Sequence, residues 1–261
     1  MRAPRLQLAG LVCLLASCLE YSPHEIPDRE HERDLHAKGV ERLRSAPEVA
    51  PLQFAVVGDT QLHFDDALRV VEHVNQRGGA AFVVQVGDFT HLGLASEFRL
   101  MNDVLRKLDV PYFVAVGVHD LLGSGKHVFE SMFGPYDFAF TYARTRLVFV
   151  DTNAPEYGFD GTAPDLAWLA EQLAPSPEFD RAVVFAHIDP ESTDFDALLV
   201  EGYFRALIDA GVSVAFHGHA HHFREYQRGA VRLFTAPEVG DGYLWVTEQP
   251  DGPFDVEVVR F

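Results

Sequence analysis

Five apolar runs in this chain each end on residues that can bind a metal ion or move a proton. Residues 52–57 close with Gly58-Asp59-Thr60-Gln61, and residues 81–86 close with Gly87-Asp88. Residues 112–116 close with Gly117-Val118-His119-Asp120, residues 182–186 with His187, and residues 212–216 with His217-Gly218-His219. Carboxylate oxygen and imidazole nitrogen together suit divalent ions of the Mn, Fe and Zn class. A single Gly-Asp after a strand is an ordinary turn, because Gly tolerates positive φ and Asp bonds back to the backbone. Five such endings in order are hard to assign to turns. His217-Gly218-His219 adds weight, since on an extended segment both rings would point to one side and could serve neighbouring ions.

For these endings to converge, the five runs must be strands of a sheet whose carboxyl edge carries the ligand. The segments between them fit that expectation. Helical spacing runs through residues 65–76 and 95–108, through a helix opened by Pro164 that includes Leu166, Leu169 and Leu173, and through residues 197–208. Residues 138–142 and 147–150 read as a strand pair, and short strands follow from about Phe223. The alternation is α/β at first, with antiparallel material later. The loops 121–127 and 153–162 are left to form pocket walls.

At 261 residues the chain suits one large domain, or at most two. The 48% hydrophobic and 23% charged content is that of a soluble globular protein. A formal net charge of −18 argues against nucleic acid as a standing partner, although bound cations would reverse the sign locally. Arg2 and Arg5 precede an apolar stretch, residues 8–16, that falls short of the roughly 20 residues needed to span a bilayer. Leu15-Ala16-Ser17-Cys18 then resembles the lipobox of bacterial lipoproteins. On that reading residues 1–17 are a lipoprotein signal peptide, and Cys18 carries a lipid that anchors an exported protein to a membrane of the cell envelope. Cys13, the other cysteine, is cut away, so the mature fold has no disulfide. Residues 18–51 read as a charged tether, with a short amphipathic helix around 35–43 that could dock on the body. Residues 52–261 form the domain.

The ordered series resembles the calcineurin-like metallophosphoesterase family, whose pattern is Asp-x-His, Gly-Asp, Gly-Asn-His-Asp/Glu, a lone His, and Gly-His-x-His. Asp151-Thr152-Asn153 and Trp168-Leu169 look like further landmarks of that family. The resemblance implies an α/β fold of two mixed β-sheets sandwiched between helices, four layers in the order α/β/β/α. It implies two divalent metal ions and hydrolysis of a phosphomonoester or phosphodiester by a hydroxide shared between them. Carried over by position, Asp59, Gln61 and His219 would hold the first ion, His187 and His217 the second, and Asp88 would bridge both. His119 would protonate the leaving oxygen, and Asp120 would either orient His119 or be a solvated turn residue. His63, His91, His221 and His222 read as surface or supporting histidines, with the alternative that one of them supplies a ligand that Val118 does not.

Two positions depart from the pattern. Gln61 stands where His is usual, and its neutral amide oxygen should tilt the first ion toward Mn, Fe or Mg and away from Zn. Val118 stands where Asn is usual and has no donor atom, which leaves the second ion three ligands and a lower affinity. A second reading follows: a degenerate metal- or phosphate-binding lipoprotein with little turnover.

Overall fold

The computed structural model describes residues 30–250 and 252–260. The expected signal peptide and the lipid-bearing Cys18 lie outside the described residues. Among the described residues, no helix is long and apolar enough to cross a membrane.

Two mixed sheets face each other. The first contains β1 (Gln53–Val57), β2 (Phe82–Val86), β3 (Tyr112–Ala115), β10 (Tyr243–Thr247) and β11 (Asp255–Val259), in the order β11-β10-β1-β2-β3. Here β1, β2 and β3 are parallel, and the two late strands are antiparallel additions at the β1 edge. The second contains β4 (Phe138–Tyr142), β5 (Thr145–Phe149), β6 (Arg181–Phe185), β7 (Val214–His217), β8 (Arg224–Arg228) and β9 (Val231–Thr235), in the order β4-β5-β6-β7-β9-β8. Its four central strands are parallel, with an antiparallel strand at each edge.

The central strands read as unbroken apolar runs because both of their faces are buried. In β1, Phe54 and Val56 enter the core between the sheets, while Ala55 and Val57 face the outer helical layer. Phe149, Phe185, Phe216 and Phe234 share one register row across β5, β6, β7 and β9. Their rings stack at 4.8, 5.6 and 5.5 Å, and this aromatic floor fixes the alignment of the strands that end at the candidate site.

Helices α2 (Phe64–Arg77), α3 (Ala95–Leu105) and α4 (Gly125–Met132) cover the first sheet, and α5 (Leu166–Gln172) and α6 (Val200–Asp209) cover the second. The order of layers is therefore α/β/β/α, as the resemblance implies. In α2 the buried residues Ala67, Val70, Val71 and Val74 follow one helical stripe. Helix α5 opens two residues later than its proline suggests: Asp165 is the cap, its carboxylate accepting from the Ala167 and Trp168 amides, and Pro164 precedes it.

The stretch read as a charged tether contains a docked helix, α1 (Leu35–Ser45), which buries His36, Gly39 and Leu43. The His36 ring lies among Phe113, Phe129, Phe133, Phe138 and Phe149, stacked on Phe138 at 4.0 Å. Its Nε2 accepts the Val114 amide at 3.1 Å, and burial lowers its pKa to about 3. The helix is held by this neutral imidazole together with buried Leu43 and an Arg42 guanidinium that donates to the Asp109 carbonyl.

Candidate metal centre

The carboxyl ends of β1, β2 and β3 in one sheet meet those of β6 and β7 in the other. The loops between them are tied to one another by main-chain contacts. Thr60 and Gln61 both donate their amides to the Asp88 carbonyl at 3.1 Å, and Gly218 donates to the His187 carbonyl at 2.9 Å. The family landmark near β5 has a similar tying role: Thr152 Oγ1 accepts from the Ile188 amide at 2.8 Å, and Asn153 Nδ2 donates to the Val116 carbonyl at 2.9 Å. Two glycines make the convergence possible. A Cβ at Gly87, where φ is +92°, would overlap the His187 ring, and one at Gly117 would overlap the Asp88 backbone nitrogen.

Asp88, His187 and His219 present ligand atoms within 4.8 Å of one another, and so do Asp59, Asp88 and His221. Asp88 belongs to both groups, which is the placement a bridging carboxylate requires. Asp59, Asp88 and His187 are fully or almost fully buried. Asp88, His219 and His221 all hold positive φ, at 55°, 70° and 58°. For residues other than glycine this costs about 1–3 kcal/mol each, and such strain concentrates at functional sites.

His187 supplies the test of whether cations fit. Its Nδ1 donates to the Val86 carbonyl at 2.8 Å, which aims Nε2 at the strand-end carboxylates. That Nε2 is buried and makes no hydrogen bond among the described residues, although it lies 3.3 Å from Asp88 Oδ1. A buried ring nitrogen without a hydrogen bond, aimed at a buried carboxylate, is a donor set that fits a divalent cation. The electrostatics agree. Burial opposes charge on His187, yet Asp88 and Asp59 beside it push its pKa up to about 10. Burial raises the Asp59 pKa, whereas at Asp88 the burial effect is outweighed by His187 and the His119 amide, which hold it low. Divalent ions held here would supply the positive charge that these buried carboxylates favour.

The structure brings most of the expected residues together and leaves two apart. Asp59, Asp88, His187 and His219 meet as described. Gln61 is buried beside Asp88 through its amide, and its Oε1 contacts His91 Nδ1 at 3.3 Å. His119 is partly exposed. Its Nδ1 donates to the His91 carbonyl at 2.7 Å, its ring stacks on His91 at 5.2 Å, and its Nε2 lies 4.0 Å from Asp88 Oδ2.

His217 does not reach the cluster. Val214 and Phe216 point into the core between the sheets, so Ala215 and His217 point outward by strand alternation. The His217 ring lies against α6, with Nε2 3.4 Å from the Tyr203 hydroxyl, and burial lowers its pKa. The expectation of two rings on one extended segment fails because β7 ends at His217 and His219 adopts positive φ. The Gly-His-x-His pattern is read instead as Gly218-His219-Ala220-His221, which brings His221, expected mainly as a supporting histidine, into the cluster. Asp120 does not touch His119. It is fully buried and accepts from the Gly117, Phe89 and Thr90 amides and from the Thr90 hydroxyl, which joins the β2 and β3 ends. Burial and the nearby Asp88 charge raise its pKa to about 7.

Val118 packs against the apolar cluster containing Val148, Val150 and Ile188 and presents no donor. Among the other histidines, His222 is exposed with Nδ1 on the Ala220 carbonyl at 2.7 Å, and His63 lies between Asp66 and Glu238 at 3.1 Å from each.

Comparison with known proteins gives the family and the fold. The calcineurin-like phosphoesterase family model matches residues 52–223, well over half of the chain. A curated relative, the probable glycerophosphodiester phosphodiesterase GpdQ of Arcobacter nitrofigilis, is 27% identical over 118 residues, covering 41% of each protein. The chain therefore spans less than half the length of the curated relative it matches. Among solved structures, GAP50, the anchor in the inner membrane complex of Plasmodium, overlays with a TM-score of 0.63 at 15% identity, over 80% of this chain and 84% of its own. The purple acid phosphatase PPD1 of yellow lupin overlays with a TM-score of 0.61 at 12% identity, over 80% of this chain and 51% of its own. At these identities the likeness is one of fold.

Proposed function

Because the chain belongs to the calcineurin-like phosphoesterase family, we propose that it hydrolyses a phosphomonoester or phosphodiester at the strand-end cluster. The observation that carries this reading is the orphaned Nε2 of His187 facing Asp88. Asp59, Gln61, Asp88 and His221 are assigned to a first divalent ion, and Asp88, His187 and His219 to a second. Bound there, the two cations supply a water of lowered pKa and neutralise charge on the phosphoryl oxygens.

The residues of the chain do the rest. Asp88 orders the far side of the site by accepting the His119 amide at 2.9 Å. The His119 Nδ1 proton is committed to the His91 carbonyl, which leaves Nε2 as the atom that holds and releases the catalytic proton. Its partial exposure gives a leaving oxygen access to it. The amide of Gln61 supports Mn or Fe over Zn at the first ion. The name of the curated relative makes a small phosphodiester the first substrate to try. The lipobox-like Leu15-Ala16-Ser17-Cys18 supports an exported protein held to a membrane by a lipid on Cys18.

Val118 favours a second reading. Its side chain is committed to an apolar cluster, so the second ion has three ligands and the phosphate lacks an amide donor. On that reading the protein binds metal or phosphate and turns over little.

The experiment is turnover of a chromogenic phosphodiester and its monoester by the Mn-loaded protein, with His119→Ala as control. The phosphoesterase reading expects activity that falls by about 10²–10⁴ in the variant, the range for loss of a general acid. Bound metal with no turnover of either ester would favour the binding reading.

A further inference from the structure

Each of the two loop histidines in the cluster has a carboxylate at a ring nitrogen. His219 Nε2 lies 2.8 Å from Asp194 Oδ2, and His221 Nδ1 lies 3.3 Å from Glu238 Oε1. Neither carboxylate belongs to the groups that could hold an ion. His187 differs, since its second nitrogen is held by a main-chain carbonyl.

Glu238 is itself fixed from several directions. Its Oε1 also lies 3.1 Å from His63 Nε2, and His63 Nδ1 is 3.1 Å from Asp66 Oδ2, which pairs with Arg69. Its amide donates to the His221 carbonyl at 3.4 Å, and the next amide, Val239, donates to the Asp59 carbonyl at 3.3 Å. One short segment therefore touches both Asp59 and His221. A carboxylate on the second nitrogen of a ligating imidazole fixes the ring and its tautomer and makes the ligand more basic.

We propose that Glu238 and Asp194 are positioning residues for separate ions: Glu238 sets the affinity of the first ion through His221, and Asp194 that of the second through His219. The proposal rests on the reading of the cluster as a two-metal centre. It places the control of each half-site on a different loop, outside the family's ligand pattern. Both carboxylates are partly exposed, Glu238 at 28% and Asp194 at 49% of the side chain, so their replacement leaves the core intact.

The test is calorimetric titration of the metal-free full chain with Mn²⁺, without substrate. Glu238→Ala should weaken one binding event by about 10–100-fold and Asp194→Ala the other, the range seen when such partners are removed. Glu238→Gln, which keeps an acceptor, should recover part of the loss. In a His221→Ala background Glu238→Ala should add nothing, since a residue acting through another has no effect once that residue is gone. The melting temperature of the metal-free protein should not move with the affinities. The proposal is overturned if either replacement weakens both ions equally or neither, or if Glu238→Ala still acts without His221. A wild type that takes up no Mn²⁺ overturns the metal-centre reading itself, a different result from two intact binding events that ignore Glu238 and Asp194.

Discussion

The Nε2 of His221 lies 3.6 Å from Oδ1 of Asp59, so the loop beyond β7 closes over the end of β1. His217, four residues earlier, sits at the last position of β7 and turns to Tyr203 instead. This division predicts how metal is lost. His221→Ala and His219→Ala should each lose about one ion per chain after dialysis. His217→Gln should keep its metal but lose about 1–3 kcal/mol of stability, the cost of leaving a buried polar group mispaired. Metal analysis beside thermal melts separates the two outcomes, and metal loss in His217→Gln would contradict the assignment.

If two ions bind here, the half-sites should be unequal, because Val118 presents no donor to the second. Val118→Asn should restore a ligand oxygen and raise turnover of a phosphodiester at saturating Mn²⁺ by at least about 10-fold, judged by what metal-site partners contribute. The apolar neighbours of Val118 would mute the gain if the amide stayed unpaired. A fast wild type with no gain in the variant would mean that the pocket supplies the missing ligand from elsewhere.

Acid should release α1. His36 is neutral in its aromatic setting, with a pKa of about 3 against an ordinary value of 6.5. The unfolded chain therefore binds more protons between those values, and stability falls as pH drops from about 6.5 toward 3. Above that window the contribution is complete. His36→Gln should flatten the dependence of melting temperature on pH between about 6.5 and 4.5. Protection of the α1 amides against hydrogen exchange, taken relative to the intrinsic rate at each pH, should fall on acidification in the wild type. Protection that is independent of pH would count against the docking account.

Much of this was legible in the sequence, for physical reasons that also explain the gaps. Strands β1, β2, β3, β6 and β7 are buried on both faces, so each appears as an apolar run with its functional residue at the end. Helix α4 escaped notice because it spans only eight residues and opens within the turn-like stretch Gly123-Ser124-Gly125. Helix α1 was legible as a short amphipathic helix around 35–43, although His36 and Gly39, which are not large apolar side chains, make up part of its buried face. The histidine pair was ambiguous for a structural reason. His-x-His occurs at both 217–219 and 219–221, and only the place where β7 ends selects between them. Asp120 could be read as orienting His119, since a sequence does not show which amides a buried carboxylate will accept.

The lipid anchor rests on Leu15-Ala16-Ser17-Cys18. Cys18→Ser should abolish lipidation and leave the protein unprocessed or released from membranes. A single acyl chain binds reversibly and several hold firmly, so the readout is partitioning between membrane and soluble fractions. A wild type recovered in the soluble fraction without proteolysis would contradict the anchor.

The central claim is that two cations share Asp88, one on the Asp59 side and one on the His187 side. Anomalous diffraction from crystals soaked in Mn²⁺ tests it most directly. The account predicts two peaks about 3.5–4 Å apart, as in sites that share a bridging carboxylate. One should be bounded by Asp59, Gln61, Asp88 and His221, and the weaker by Asp88, His187 and His219. A peak against His217, or strand ends that bind no ion at saturating Mn²⁺, would contradict it.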